Sequence, residues 1–421
     1  MKIENAIVTD IFDVFNGTIN SSAQNALKRT INNKLEAVAA IKNQQQIIKC
    51  FMANFNLFTN YHYPILHYRE VFFIIEQSNF GSILDEQKPL KALKSNENRF
   101  QTIKGKTAQL IIFLHYYYTT YLKDFNCDDF PNDYKNQYNE FIEYFKSYNL
   151  DFYQDKIRTK NLNADDVLSI IQIFQKHYTA GKQFPFIDFF AQFEVYISIA
   201  KQTLKHNFQF PEIIKDDIVL TDFYHPKLKN AITNSFNNSN GVLLLTGANM
   251  AGKSTFLKSL GMCVYLAHLG FPVPAKEAKI PFYNEIYIFI NNNDDLSSGY
   301  SYFMQEVLNL KEVVLKCNDH KTCFALFDEL FKGTNFEDAL EISTTTLNGL
   351  LKFQNSFFAI SSHIHQLKDR ISNKNNIYTY YLECLVDNGT PHFTYQLKKG
   401  FSDLKLGKII FENEKLNELL L

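Results

Sequence analysis

The chain has 421 residues, enough for two or three domains, and its 46% hydrophobic content is enough to fill real cores. Its 43 lysines and arginines against 44 aspartates and glutamates exclude a whole-chain electrostatic pull toward nucleic acid, so any such contact must be local. Six cysteines (Cys50, Cys127, Cys263, Cys317, Cys323 and Cys384) stand without a C-x-x-C pair, which fits buried thiols in a reducing compartment better than disulfides or a zinc site. The first residues, with Glu4, Asp10 and Asp13, lack the basic-then-apolar order of an export signal. No run reaches the roughly 20 apolar residues of a membrane span. A cytoplasmic protein with no membrane partner is expected.

In chain order, residues 1–205 hold few glycines or prolines and repeat apolar positions at helical spacing, as with Leu35, Val38, Ile41 and Ile47-Ile48 in the 33–58 stretch. The 88–106 stretch carries Lys88, Lys91, Lys94, Arg99, Lys104 and Lys106 against Glu97 alone, a solvated face or a local phosphate contact. Leu110 to Leu114, running into Tyr116-Tyr117-Tyr118, reads as a buried helix. A further helix over 189–204 is broken at His206 to Pro211, because proline and its predecessor disfavour helix. The boundary falls there, giving a mainly-α domain over 1–205 and a second domain over 206–421. In the second, strand-like runs at 242–245, 286–290, 323–327 and 357–360 alternate with helical segments, the pattern of an α/β parallel sheet. Asn291 to Asn293 reads as a loop.

Chemistry concentrates in the second domain. Residues 247–254, Gly-Ala-Asn-Met-Ala-Gly-Lys-Ser, follow an apolar strand and form a complete phosphate-binding loop. Its glycines let backbone N–H groups face phosphates, Lys253 reaches the terminal phosphates, and the Ser254 hydroxyl completes a Mg²⁺ site at a helix N-terminus. The 323–327 strand ends in Asp328-Glu329, placing two carboxylates at the sheet's carboxyl edge. There Asp328 can hold the Mg²⁺ shell and Glu329 can orient or deprotonate a water. The 357–360 strand ends in Ser361-Ser362-His363 and brings an imidazole to the same edge, in reach of a γ-phosphate or the lytic water.

These segments resemble the MutS family of DNA mismatch repair ATPases. Thr246 to Thr255 is similar to the family's phosphate loop, with Asn249-Met250 where transporter ATPases usually carry Asn-Gly. Gly270 to Ala275, Asp294 to Glu306, Asp328 to Thr334, Ser362 to Leu367 and Tyr395 to Gly400 resemble, in order, its later motifs. The 187–211 stretch resembles the lever helix entering the ATPase domain, and 31–58 the start of the helical core. The resemblance implies a mainly-α core and lever domain followed by an α/β P-loop NTPase domain of the ABC-type ATPase subclass. It implies ATP and Mg²⁺ as cofactors, held by Gly247, Ala248, Asn249, Met250, Ala251, Gly252, Lys253, Ser254 and Thr255, with Ser254 and Asp328 at the metal. It further implies Glu329, His363 and Ser301 as catalytic, Ser301 acting in trans on the other subunit's nucleotide, and hence a homodimer with composite sites. Adenine would stack between Phe236 and Tyr395.

The chain also departs from the family. Tyr300 and Tyr302 flank Ser301 where smaller polar residues are common, Phe331-Lys332 replaces Gly-Arg, and Ala248 and Ala251 replace Pro and Gly. The residues ahead of the ATPase domain suffice for the helical core and lever but not for mismatch-reading and connector domains. Phe141-Ile142-Glu143 matches the reader's Phe-x-Glu wedge only by chance, in a helix. The expected function is an ATP-hydrolysing, DNA-associated protein selecting DNA by structure. The alternative is a nucleotide-dependent switch or scaffold with slow turnover and no direct DNA contact.

Overall fold

The structure is a computed structural model that describes all residues except 1, 78–79, 249, 291–301, 372–375, 388–389, 403, 405 and 421. Its chain folds as two compact units, one of residues 15–30 and 43–205, the other of 1–14, 31–42 and 206–421. Among the described residues no helix is long and apolar enough to cross a membrane.

The first unit is helical, and its core is built from aromatic rings. Phe51, on the helix Val38–Ala53, lies 4.9 Å from Phe193 and 5.3 Å from Tyr196, both on the long helix Gln183–His206. Tyr117 lies 4.6 Å from Phe190 of the same helix. The run expected to form a buried helix does so: Leu110, Ile111 and Leu114 have no exposed surface within Glu97–Tyr117. Phe141 is likewise a core residue of the helix Asn132–Lys146, as a chance Phe-x-Glu match should be. One acid interrupts this core. Glu194, 1% exposed, accepts hydrogen bonds from the Tyr63 hydroxyl, the Ile19 and Asn20 backbone N–H groups and the Asn20 side-chain amide at 3.0 Å. A carboxyl group buried among rings is tolerable because its lone pairs are taken by donors.

The second unit carries eleven described strands: β1 (Lys2–Ile3), β2 (Glu212–Ile214), β3 (Asp217–Phe223), β4 (Asn234–Ser239), β5 (Gly241–Thr246), β6 (Glu277–Pro281), β7 (Glu285–Phe289), β8 (Cys323–Phe327), β9 (Phe357–Ser361), β10 (Ile377–Asp387) and β11 (Thr390–Lys399). The main sheet runs β1, β7, β8, β9, β5, β10, β11, parallel except for the closing β10–β11 hairpin. A smaller sheet runs β2, β6, β3, β4. The strands β5, β8 and β9 are buried at every position, as continuous apolar runs in the middle of a parallel sheet must be.

Alternation along these strands serves two helical layers. Ala325 and Phe327 of β8 and Phe358 of β9 join Val313, Cys317, Leu347 and Leu350 of the helices Tyr302–Asn318 and Phe336–Leu350 in one core. On the opposite face the helix Lys253–His268 comes so close that a Cβ at Gly261 would lie 2.8 Å from Leu326 and 2.9 Å from Ile288. That approach fixes the helix, and with it the phosphate loop at its start.

The segments 1–14 and 31–42 join this unit, although a boundary at 205/206 leaves them in the other half. The physical reason is pairing. β1 adds an edge strand to β7, the Tyr265 hydroxyl donates to the Ile31 carbonyl at 2.6 Å, and the Leu35 N–H donates to the His268 carbonyl at 3.0 Å.

Candidate functional site

Three neighbouring strands deliver the site. Because β8, β9 and β5 are adjacent and parallel, the residues just past their carboxyl ends meet at one edge: Asp328-Glu329, Ser362-His363 and the loop from Gly247. The loop needs unusual backbone, with Gly247 at φ 134°, Met250 at φ 71° and Gly252 at φ 94°. Glycine suits two of these positions, and at Gly252 a Cβ would also press to 3.1 Å from the Tyr395 ring. Ser254 follows in the first turn of Lys253–His268, and Thr255 is exposed beside it. Asn249 and Ser301 lie outside the described residues.

Lys253 is only 4% exposed and donates to the Gly247 and Ala248 carbonyls at 2.9 and 3.2 Å. Burial pushes its pKa down, against the pull of the Glu329 and Asp328 carboxylates. Its Nζ stands 3.9 Å from Glu329 Oε1. A buried ammonium held over its own loop carbonyls is suited to receive an anion.

Glu329 adopts φ 52°, a left-handed conformation rare outside glycine and often found at functional turns. Its Oε2 accepts from Lys332 at 2.6 Å. Burial raises its pKa, but the hydrogen bond and charge of Lys332, then the charges of Lys253 and His363, outweigh it, and the net shift is downward. Glu329 therefore stays a carboxylate. His363 is exposed at the same edge, and partial desolvation, then the nearby Lys253 and Lys332, pull its pKa down against Glu329. It is neutral near pH 7, able to donate or accept.

Two residues give this edge its order. Ser361, fully buried at the end of β9, donates to Asp328 Oδ1 at 2.6 Å and accepts the Glu329 N–H at 2.7 Å. Glu306, 2% exposed on Tyr302–Asn318, accepts the Phe331 N–H at 3.1 Å. Phe331, at φ 68° where a glycine would be relaxed, packs 1% exposed with Phe303 at 6.1 Å. The exchange of Gly for Phe is thus a packing feature.

Beside the loop opens a cavity of about 360 Å³, the size of a nucleoside site, lined among others by Leu228, Ile232, Gly252, Thr255, Leu382 and Tyr395. Tyr395 is 44% exposed, and Asn234 pins its strand by donating to the Tyr395 carbonyl at 3.0 Å and accepting the Leu397 N–H at 2.7 Å. Leu228 and Ile232 line the same cavity, 50% and 44% exposed. Phe236 requires a correction. It does not line this cavity: it sits on β4, 1% exposed, its ring against Tyr380 at 5.7 Å, Phe357 at 5.8 Å and Phe256 at 6.4 Å. With its surface taken up by core rings, it has no face to offer a base.

The donor set fits Mg²⁺ in part. The Ser254 hydroxyl and Asp328 carboxylate are hard oxygen ligands. Among the described residues no group of three or more His, Cys, Asp or Glu side chains could hold a metal ion, so an ion here would depend on phosphate oxygens as well.

The MutS domain V family matches residues 243–416. The chain is similar to proteins named DNA mismatch repair protein MutS. That of Bacillus subtilis (strain 168) is 30% identical over 208 residues, 47% of this chain and 24% of that protein. That of Bacillus velezensis is 34% identical over 172 residues, 40% and 19% of the two chains. That of Shouchella clausii is 27% identical over 231 residues, 53% and 26%. The chain thus spans about a quarter of the length of these curated relatives. The expected MutS resemblance is borne out over about half of the chain.

Proposed function

We propose that this chain, with MutS domain V over residues 243–416, binds and hydrolyses ATP as a homodimer and acts on DNA chosen by structure rather than sequence. The observation carrying the reading is the meeting of Lys253 and Glu329, 3.9 Å apart at one sheet edge: a cation for the terminal phosphates beside a carboxylate for the attacking water. Relatives named for mismatch repair support the DNA partner, and six unpaired cysteines support a cytoplasmic setting.

In this reading the backbone N–H groups of residues 247–254 and the Lys253 ammonium neutralise the β- and γ-phosphates. Ser254 and Asp328 would hold Mg²⁺, which when bound neutralises phosphate charge. Glu329 accepts a hydrogen bond from the lytic water and takes its proton as the oxygen attacks the γ-phosphorus, whose bond to the β–γ bridging oxygen breaks to release ADP and phosphate. His363 steadies the γ-phosphate or that water. The base lies between Tyr395 on one side and Leu228 and Ile232 on the other, and Thr255 borders its sugar. Ser301 of one protomer completes the site of its partner.

A second reading, a switch or scaffold with slow turnover, draws on the Lys332 to Glu329 bond of 2.6 Å, which takes up one of the two carboxylate oxygens open to a water. ATP turnover measured with no DNA and with duplex, single-stranded and branched DNA across a salt series separates the two. Stimulation that weakens with salt supports the DNA-linked ATPase; a low rate, unmoved by every DNA, supports the switch.

A further inference from the structure

The outer wall of the nucleotide-sized cavity is a segment without helix or strand, residues 224–233, between β3 and β4. It carries Leu228 and Ile232, half-exposed, which line the cavity together with Tyr395. Such a segment needs tethers to stay put, and of its backbone bonds the Leu228 N–H to the His225 carbonyl at 3.1 Å closes a turn within it, while the Tyr224 N–H to the Pro274 carbonyl at 3.1 Å ties it to the rest of the unit.

Charge supplies the rest. Lys227 Nζ lies 2.9 Å from Asp10 Oδ1 and 2.8 Å from Asp13 Oδ2, and His225 Nε2 lies 3.5 Å from Asp10 Oδ2. Asp10 and Asp13 are three residues apart on the helix Asn5–Phe15 and so share one of its faces. Ile7 and Ile11 of that helix are fully buried, and β1 just before it is paired to β7, so the two carboxylates stand on an anchored element. Asp10 is 19% and His225 8% exposed, which shields this part of the cluster from salt. The hydrogen bonds that Lys227 donates to Asp13 and Asp10 raise its pKa and keep it charged, while burial lowers that of His225.

We propose that Asp10 and Asp13 are positioning residues for the nucleotide base: by gripping Lys227 they hold the 224–233 wall at the distance from Tyr395 that a purine ring requires. Both parts of this clamp, residues 1–14 and 224–233, lie outside the MutS domain V match. The proposal rests on the cavity being the nucleotide site. A wall ordered in advance spares the ligand the cost of ordering it, so loss of the clamp weakens binding and leaves the chemistry at Lys253 and Glu329 alone.

The test uses the full chain, ATP as the probe, and the variants Lys227→Met, Lys227→Arg, Asp13→Asn and the double Asp13→Asn/Lys227→Met. Lys227→Met should raise the ATP KM and Kd about threefold to tenfold with kcat within about twofold of wild type. Lys227→Arg should restore wild-type binding, and the double variant should bind no worse than Lys227→Met. Without nucleotide, amide exchange over 224–233 should quicken in Lys227→Met. Equal ATP affinity in Lys227→Met and wild type, or additive losses in the double variant, overturns the clamp alone. If wild type binds no ATP while exchange still quickens in Lys227→Met, the nucleotide reading of the cavity falls and the clamp's proposed role falls with it.

Discussion

Ser361 donates a hydrogen bond of 2.6 Å to Asp328, and the same hydroxyl oxygen accepts the Glu329 N–H at 2.7 Å. One buried side chain thus holds the Asp328 carboxylate and the backbone of Glu329, one strand away from its own. The Ser361→Ala variant keeps the apolar packing of β9 and frees Asp328 and the left-handed turn at Glu329. Its ATP turnover should fall about 10- to 100-fold with ATP affinity near wild type, since misplacement by about 1 Å can cost that much. Unchanged turnover would show that Asp328 and the turn at Glu329 are held without Ser361.

Lys332 gives a pH prediction with a definite sign. Glu329 has a lowered pKa because Lys332, then Lys253 and His363, outweigh its burial. The acid limb of turnover should therefore lie below the ordinary carboxylate range. Lys332→Met removes the largest of the lowering influences and leaves the burial, so that limb should move to higher pH. A pH profile of kcat/KM reads it directly; an unmoved limb would mean that Glu329 does not report on the step.

His268 should make the sheet-bearing unit acid-sensitive. It is fully buried, donates from Nδ1 to the Val264 carbonyl at 2.8 Å and accepts the Tyr283 N–H at 2.8 Å, and burial pushes its pKa from 6.5 down to about 4. The unfolded chain takes up the proton first. The stabilisation is complete above pH 6.5, drains away as pH falls, and is gone below about pH 4, a loss of about 3 kcal/mol. Urea unfolding of wild type and His268→Gln at several pH values should show a smaller pH dependence in the variant. Parallel curves would contradict a neutral, buried imidazole.

What could be read from the chain follows from locality. β5, β8 and β9 are apolar runs, Asp328, Glu329 and His363 come just past β8 and β9, and Lys253 closes the loop after β5, so adjacency of parallel strands brings them together. Long-range pairing hid the rest. β1 has two residues, too few to show any period, and finds β7 more than 280 positions away. Phe236 stands in the polar stretch Asn-Ser-Phe-Asn-Asn-Ser, which reads as a surface segment until β3 and Tyr380 cover it. Ser361 reads as a strand end beside His363, and only the register of β8 on β9 brings its hydroxyl to the Asp328 carboxylate and the Glu329 N–H. Lys227 carried no motif, because its partners Asp10 and Asp13 lie more than 210 residues earlier.

The most direct test of the ATPase reading is turnover by Glu329→Gln with ATP binding measured on the same preparation and Lys253→Ala as the binding-deficient control. The amide keeps the shape of Glu329 and cannot take a proton. Binding should remain while turnover falls about 100- to 10,000-fold, and Lys253→Ala should lose binding. A Glu329→Gln variant that hydrolyses ATP at the wild-type rate would contradict the assignment of this sheet edge as the hydrolytic centre.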